Sequence, residues 1–269
     1  MKHLKATSLL AGAVCLLLPS AHASLLFTDG FNYTAGSNLG GNINPGNATA
    51  WTGGNAALQI GSSGLSYPGF QGLGGNDLIY TSGSTATTSL NTFSTVTSGS
   101  IYYSFLIDAT TLPTANNYIT SLNPGTTGPG GSGDSMAVYV GANGSGWKIG
   151  VRNGNSGAAY ENTVLQLNTT YLIVAELTLG TTPTVSLYLD PFPGMAQPGT
   201  PNATQTGTVA ATSVDDVGFK AQSAATAGAF LIDDISLGTT WADVTVPEPS
   251  PIALAGLGVA GLFWVRRRR

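Results

Sequence analysis

The chain has 269 residues, of which 8% are charged and 42% hydrophobic, with ten tyrosines, nine phenylalanines and four tryptophans; ordinary soluble proteins are roughly 25% charged. Such apolar content sets intrinsic disorder aside and calls for a sizeable core, in one large all-β domain or two small ones. Between residues 24 and 247 the only bases are Lys148, Arg152 and Lys220, and these three against twelve acids leave that body at −9, a poor partner for nucleic acid.

The first predicted element is a signal helix over residues 1–23. Lys2 and Lys5 precede the apolar run Leu9 to Leu18, and Pro19, Ser20, Ala21, His22 and Ala23 close it. This charged, apolar, small-residue order is that of a secretory signal peptide, with Ala21 and Ala23 placing cleavage before Ser24. The run is shorter than the ~20 residues a spanning helix needs. Cys15 follows Gly12, Ala13 and Val14, which is not the context of a lipid attachment site. Removing the segment removes His3, His22 and Cys15, both histidines and the only cysteine.

From Ser24 onward the chain is rich in Gly, Ser, Thr and Asn, with apolar runs of strand length between turn residues. The strand candidates are Ile101 to Ile107, Met136 to Val140, Trp147 to Val151, Tyr171 to Leu179, Thr184 to Leu189 and Phe230 to Leu237. In the first of these, Ile101, Tyr103, Phe105 and Ile107 fall on one face and Tyr102, Ser104, Leu106 and Asp108 on the other. Asn143-Gly144 and Asn153-Gly154 bracket Trp147 to Arg152 as a hairpin arm. Lys148 and Arg152 share a face of that arm, where a surface ion pair with Glu161 or Glu176 is the expected role. Residues 124–133, PGTTGPGGSG, read as a surface loop. No window of the body has sustained helical spacing, so many short strands predict a sandwich or jelly roll.

The chain closes with Val246-Pro247-Glu248-Pro249-Ser250-Pro251, the apolar stretch Ile252 to Val265, and Arg266, Arg267, Arg268 and Arg269. As a helix the stretch rises only ~21 Å against a ~30 Å hydrocarbon core, so flanking residues must help it span. The four arginines would act as the membrane stop and stay cytoplasmic, leaving the body outside.

This tail resembles the PEP-CTERM sorting signal, on Pro247, Glu248 and Pro249, the glycine-containing apolar run and the basic terminus. The resemblance implies recognition by an exosortase, an integral membrane protease or transpeptidase, in a Gram-negative bacterium that makes exopolysaccharide. The body resembles the concanavalin A-like, laminin-G-like jelly rolls. The matching segments are Asp29 to Gly36 with Leu39, Gly41 and Trp51; Thr170 to Gly194 with its Asp190-Pro191 turn; and Phe230 to Val244 with Gly238, Thr239 and Trp241. The expected fold is therefore all-β, a concanavalin A-like jelly-roll β-sandwich, with an N-terminal signal helix and a short C-terminal hydrophobic helix. Its expected segments are a signal peptide (1–23), one jelly-roll domain (24–245) and a sorting signal with a transmembrane segment (246–269).

Without histidine or cysteine the mature body cannot build a Ser-His-Asp triad, Cys-His catalysis or a His/Cys zinc site. Glycoside hydrolysis needs only two carboxylates, but no two acids of the body stand two positions apart as in the Glu-x-Asp-x-Glu strand of laminarinase-type enzymes, and Glu161 and Glu176 stand alone. The residues thus predict no enzyme. Asp215-Asp216 and Asp233-Asp234 are candidates for calcium, whose ligands are oxygens. The competing reading is a solvated strand edge, and no cofactor is expected. Trp51, Trp147, Tyr67, Tyr139, Tyr160 and Tyr188 could stack on sugar rings, although most are expected in the core. The expected partners are exosortase and the export machinery, the inner membrane before processing, and polysaccharide. The expected destination is the cell surface or extracellular matrix, as a carbohydrate-binding or structural protein; a glycan-cleaving enzyme and a ligand-free adhesive module are the alternatives.

Overall fold

The computed structural model describes residues 25–83, 86–125, 133–207, 209–222 and 226–245. The predicted signal helix, Ala21, Ala23 and Ser24, the Pro247-Glu248-Pro249 motif, the apolar helix and the arginines Arg266 to Arg269 lie outside the described residues.

Fifteen strands are described: β1 (Leu25–Asp29), β2 (Thr52–Gly53), β3 (Leu58–Ile60), β4 (Leu78–Thr81), β5 (Thr87–Val96), β6 (Ser100–Thr111), β7 (Asn117–Asn123), β8 (Met136–Asn143), β9 (Gly146–Arg152), β10 (Ala159–Tyr160), β11 (Tyr171–Thr178), β12 (Thr184–Leu189), β13 (Ala203–Thr206), β14 (Val214–Ala221) and β15 (Ala229–Gly238). They form two antiparallel sheets, a jelly-roll β-sandwich. One sheet has the order β13-β12-β11-β6-β15-β4-β3 with β1 also on β15; the other has the order β10-β9-β8-β7-β14-β5-β2. The strand over Ile101 to Ile107 alternates as expected, because Ile101, Tyr103, Phe105 and Ile107 are all fully buried in the core between the sheets. They meet Met136, Val138, Val140, Trp147, Ile149, Val151, Val217 and Phe219 from the other sheet.

The outward residues Tyr102, Ser104 and Leu106 are buried as well. A five-residue helix that the sequence reading did not foresee, α1 (Trp241–Thr245), lies over Tyr102 and Ser104. Thr240 and Asp243 start it as a capping box: the Thr240 N–H donates to Asp243 Oδ2 at 2.8 Å and the Asp243 N–H donates back to Thr240 Oγ1 at 3.4 Å. Gly238 makes room for this turn, since a Cβ there would stand 2.3 Å from the Asp243 Cβ. Trp241 then packs on Tyr102 and Tyr188, its Nε1–H donates to the Met195 carbonyl at 3.0 Å, and Ser104 Oγ donates to the Val244 carbonyl at 2.8 Å.

β15 carries a bulge that changes which residues face inward. Phe230 and Ile232 point to the core, then Ile235 and Leu237 do, with the register shift between Asp233 and Ser236. Asp234 takes up the extra residue at φ 52, a left-handed conformation that Asp tolerates better than most residues.

Candidate functional site

The outer face of the seven-stranded sheet is assembled by simple alternation. In β9, Trp147, Ile149 and Val151 fill the core, so Lys148, Gly150 and Arg152 point outward. In β8, Met136, Val138 and Val140 face inward and leave Tyr139 outward; in β14, Val217, Phe219 and Ala221 do the same for Asp216, Gly218 and Lys220. The register then lines up Tyr118 of β7, Tyr139 of β8, Gly150 of β9 and Tyr160 of β10 in one row across four strands. Gly150 is needed in that row because a Cβ there would fall 2.7 Å from the Tyr160 ring.

Each base of the described body lies over one of these tyrosines. Lys148 Nζ is 4.3 Å from the Tyr160 ring centre, Arg152 Cζ is 4.7 Å from that of Tyr139, and Lys220 Nζ is 5.3 Å from that of Tyr118. The Tyr118 and Tyr139 rings are tilted against each other at 5.7 Å. These separations are those of cation–π contacts. They replace the surface ion pairs expected of Lys148 and Arg152: Glu161 accepts from Thr163 Oγ1 at 2.7 Å, and Glu176 belongs to the other sheet, where it accepts from Ser100, Tyr102 and Gln197. Arg152 Nε and the Tyr160 hydroxyl are buried with no hydrogen-bond partner, as are Asp77 Oδ1, Ser89 Oγ and Asp108 Oδ1 elsewhere in the fold.

Burial raises the Tyr160 phenol to about 12 and the Tyr139 phenol further, in both cases against the opposing pull of Arg152. At neutral pH these phenols are neutral donors and flat apolar surfaces. Asp216 marks one end of the face, paired across the strands with Asn123, whose Nδ2 donates to Asp216 Oδ1 at 2.9 Å. Burial pushes Asp216 up to about 7, the Asn123 amide opposes the shift, and the charges of Asp215 and Asp134 add to it.

The other acidic pair lies elsewhere and does something else. Asp233 and Asp234 are fully buried on β15 rather than on a solvated edge, which corrects that expectation; Asp216 too is buried. In the bulge both carboxylates reach the loop joining β3 to β4: Leu65 N–H donates to Asp233 Oδ2 at 2.8 Å and Leu73 N–H to Asp234 Oδ1 at 2.6 Å. Gly72 allows this approach, since a Cβ there would stand 2.1 Å from Asp234 Oδ2. Backbone N–H groups thus occupy these carboxylates. Among the described residues no three His, Cys, Asp or Glu side chains group as a metal site. Burial raises Asp233 to about 8, with the neighbouring Asp234 and Asp77 charges adding. Asp29, at the head of the opening loop, is likewise consumed: Phe31 N–H, Tyr33 hydroxyl, Asn44 Nδ2 and Trp51 Nε1 all donate to it.

Of the aromatic residues singled out for sugar stacking, Trp51 and Trp147 are core, Tyr188 lies under α1, and Tyr67 stands in the β3–β4 loop. Tyr139 and Tyr160 do share the outer face of the seven-stranded sheet, with Tyr160 half-buried and Tyr139 only 7% exposed beneath Arg152. Tyr118 and Lys220 escaped the sequence reading because their place depends on β14 pairing with β7, strands almost a hundred residues apart in the chain.

Residues 245–269 match the PEP-CTERM protein-sorting motif, which indicates an exported protein processed by exosortase, with a precursor anchored in the membrane. No curated protein matches the chain. Among solved structures, the chain is similar to an endo-β-1,4-glucuronan lyase from the fungus Trichoderma reesei, at 15% identity and TM-score 0.48, covering 81% of this chain and 97% of that one. It is similar as well to an alginate lyase mutant in complex with alginate tetrasaccharide, at 11% identity and TM-score 0.49, covering 80% and 96%. A sialidase matches at 12% identity and TM-score 0.48, covering 81% of this chain and 19% of that one. At such identities the likeness shows the fold alone. The expectation that the chain is no enzyme is withdrawn, since the solved structures it matches include two polysaccharide lyases and a sialidase, which at these identities and TM-scores assign it no activity.

Proposed function

We propose that the mature chain is an exported envelope protein that binds polysaccharide on the outer face of the seven-stranded sheet. The observation that carries this reading is the row Tyr118, Tyr139 and Tyr160, each ring beside a cation and the row floored by Gly150. Sugar rings present apolar C–H faces that pack on aromatic rings, while their hydroxyls need nearby donors and acceptors; the half-buried Tyr118 and Tyr160 and the cations lying over the row offer both. In the precursor, the apolar run and Arg266 to Arg269 hold the body outside the inner membrane until the chain is cut near Pro247, Glu248 and Pro249. The product then belongs to the cell surface or the surrounding matrix of a Gram-negative cell.

Affinity electrophoresis of the mature chain through gels containing different polysaccharides tests the binding reading, with product release followed in the same samples. Retardation by at least one polymer, abolished by Tyr139→Ala with Tyr160→Ala, is the expected result. Retardation that survives the double change would place the site elsewhere, and no retardation by any polymer would favour the ligand-free adhesive module. For the tail, replacing Pro247, Glu248 and Pro249 with alanine is expected to leave the precursor uncut in the membrane fraction; normal maturation would reject the sorting reading.

A further inference from the structure

Resting on the binding face just proposed, we infer its ligand class: an acidic, carboxylate-bearing polysaccharide of the uronate type, bound as an extended chain.

The first argument is the distribution of charge. The body between residues 24 and 247 has only three bases against twelve acids, yet all three bases lie on this one face, over three tyrosines of neighbouring strands. A face that served neutral sugars would have no use for gathering every cation of the body there. The acids at the face, Asp216 with Asp134 near it, lie at one end, in the row of Asn123. Moving from that row, Arg152 comes next with Ala137 and Ser121, then the tyrosine row, and finally Lys148 opposite Gly141.

The second argument is spacing. Four residues along β9 separate the backbones of Lys148 and Arg152 by about 13 Å, and three strand steps from β9 to β14 separate them from the backbone of Lys220 by about 14 Å. The three cationic heads rest on three different rings, of which those under Arg152 and Lys220 stand 5.7 Å apart. They suit anionic groups repeated along a polymer.

The third argument is the pairing of each cation with a ring. A hexuronate unit carries an apolar C–H face and a carboxylate on the same ring, and a tyrosine beside a cation meets both. The half-buried Arg152 holds its guanidinium over Tyr139 on this face, and a carboxylate is acceptor-only, with about four lone-pair sites. The guanidinium can bind it through paired N–H bonds. Nucleic acid combines stacking with charge as well, but its higher charge density meets a body of −9 in which only three cations are available.

The experiment compares binding of the mature chain to polygalacturonate, to the same polymer with its carboxylates methyl-esterified, to a sulfated polysaccharide and to single-stranded DNA, at low and high salt. The expected result is binding to polygalacturonate at least about tenfold tighter than to its methyl ester, weakened by salt as ion contacts are, and lost in Arg152→Gln with Lys220→Gln while the melting temperature is kept. Equal binding of the esterified polymer, lost only with Tyr139→Ala, would overturn the uronate inference and leave the binding face standing. Preference for the sulfated polymer or for DNA would overturn it in favour of those anions. Failure of every polymer would remove the binding reading itself.

Discussion

The two outer faces of the sandwich are built from the same kinds of side chain and have opposite fates. On the eight-stranded sheet, Tyr102, Tyr188 and Glu176 lie beneath α1 and the loop that follows β12: Trp241 closes over the two rings, and Gln197 Nε2 donates to Glu176 Oε2 at 2.8 Å and to the Tyr188 hydroxyl at 2.7 Å. On the seven-stranded sheet no helix is described over Tyr118, Tyr139 and Tyr160; the cations of the same face cover them, leaving Tyr118 and Tyr160 half-buried and Tyr139 only 7% exposed. Their charged neighbours sit on their rings, and Arg152 Nε and the Tyr160 hydroxyl go unpartnered. Tyrosines with charged neighbours make a second small core when the chain returns over them. Without a returning segment, they form the face proposed to bind polysaccharide.

The comparison is broken most forcefully at Trp241. Trp241→Ala removes the rings' cover and the bond to Met195, and is expected to cost about 3–5 kcal/mol, read as a lower melting temperature, with polysaccharide binding unchanged. The reverse pattern is expected at the outer face of the seven-stranded sheet. Arg152→Gln should weaken polysaccharide binding by about tenfold, as loss of a charge-assisted contact does, while stability moves by less than ~1 kcal/mol; equal losses of stability at both faces would erase the distinction.

A third effect depends on pH. Asp216 and Asp233 keep their protons in the folded chain up to about 7 and about 8, whereas unfolded aspartates release theirs near pH 4. Between these limits the folded chain holds more protons than the unfolded one, so stability falls as pH rises. The melting temperature should drop by roughly 10 °C or more from pH 5 to pH 8. The smallest expected change is that Asp216→Asn, which keeps an acceptor for Asn123, flattens part of that slope; an unaltered slope would show that Asp216 titrates normally.

Much of this architecture was written in local pattern. The alternation over Ile101 to Ile107 fixed the core face of β6, and the four-residue spacing of Lys148 and Arg152 put both on one side of β9. The polar strand β5, TTSLNTFSTV, and the acidic β14, VDDVGFKA, were invisible, because their places come from pairing with each other and with β7 rather than from their own hydrophobicity. Thr240 and Asp243 carried a legible capping box, but a five-residue helix has no periodicity to announce it. The pairing of Lys220 with Tyr118 was beyond any local reading, and so was the bulge that turns Asp233 and Asp234 toward the same loop.

The most direct test of the contrast between the two faces is hydrogen–deuterium exchange of the mature chain with and without polygalacturonate. New protection confined to β7, β8, β9, β10 and β14, with α1 and the loop after β12 unchanged, is the result this account requires. Protection centred on α1 and Trp241, with the tyrosine row exchanging as before, would contradict it.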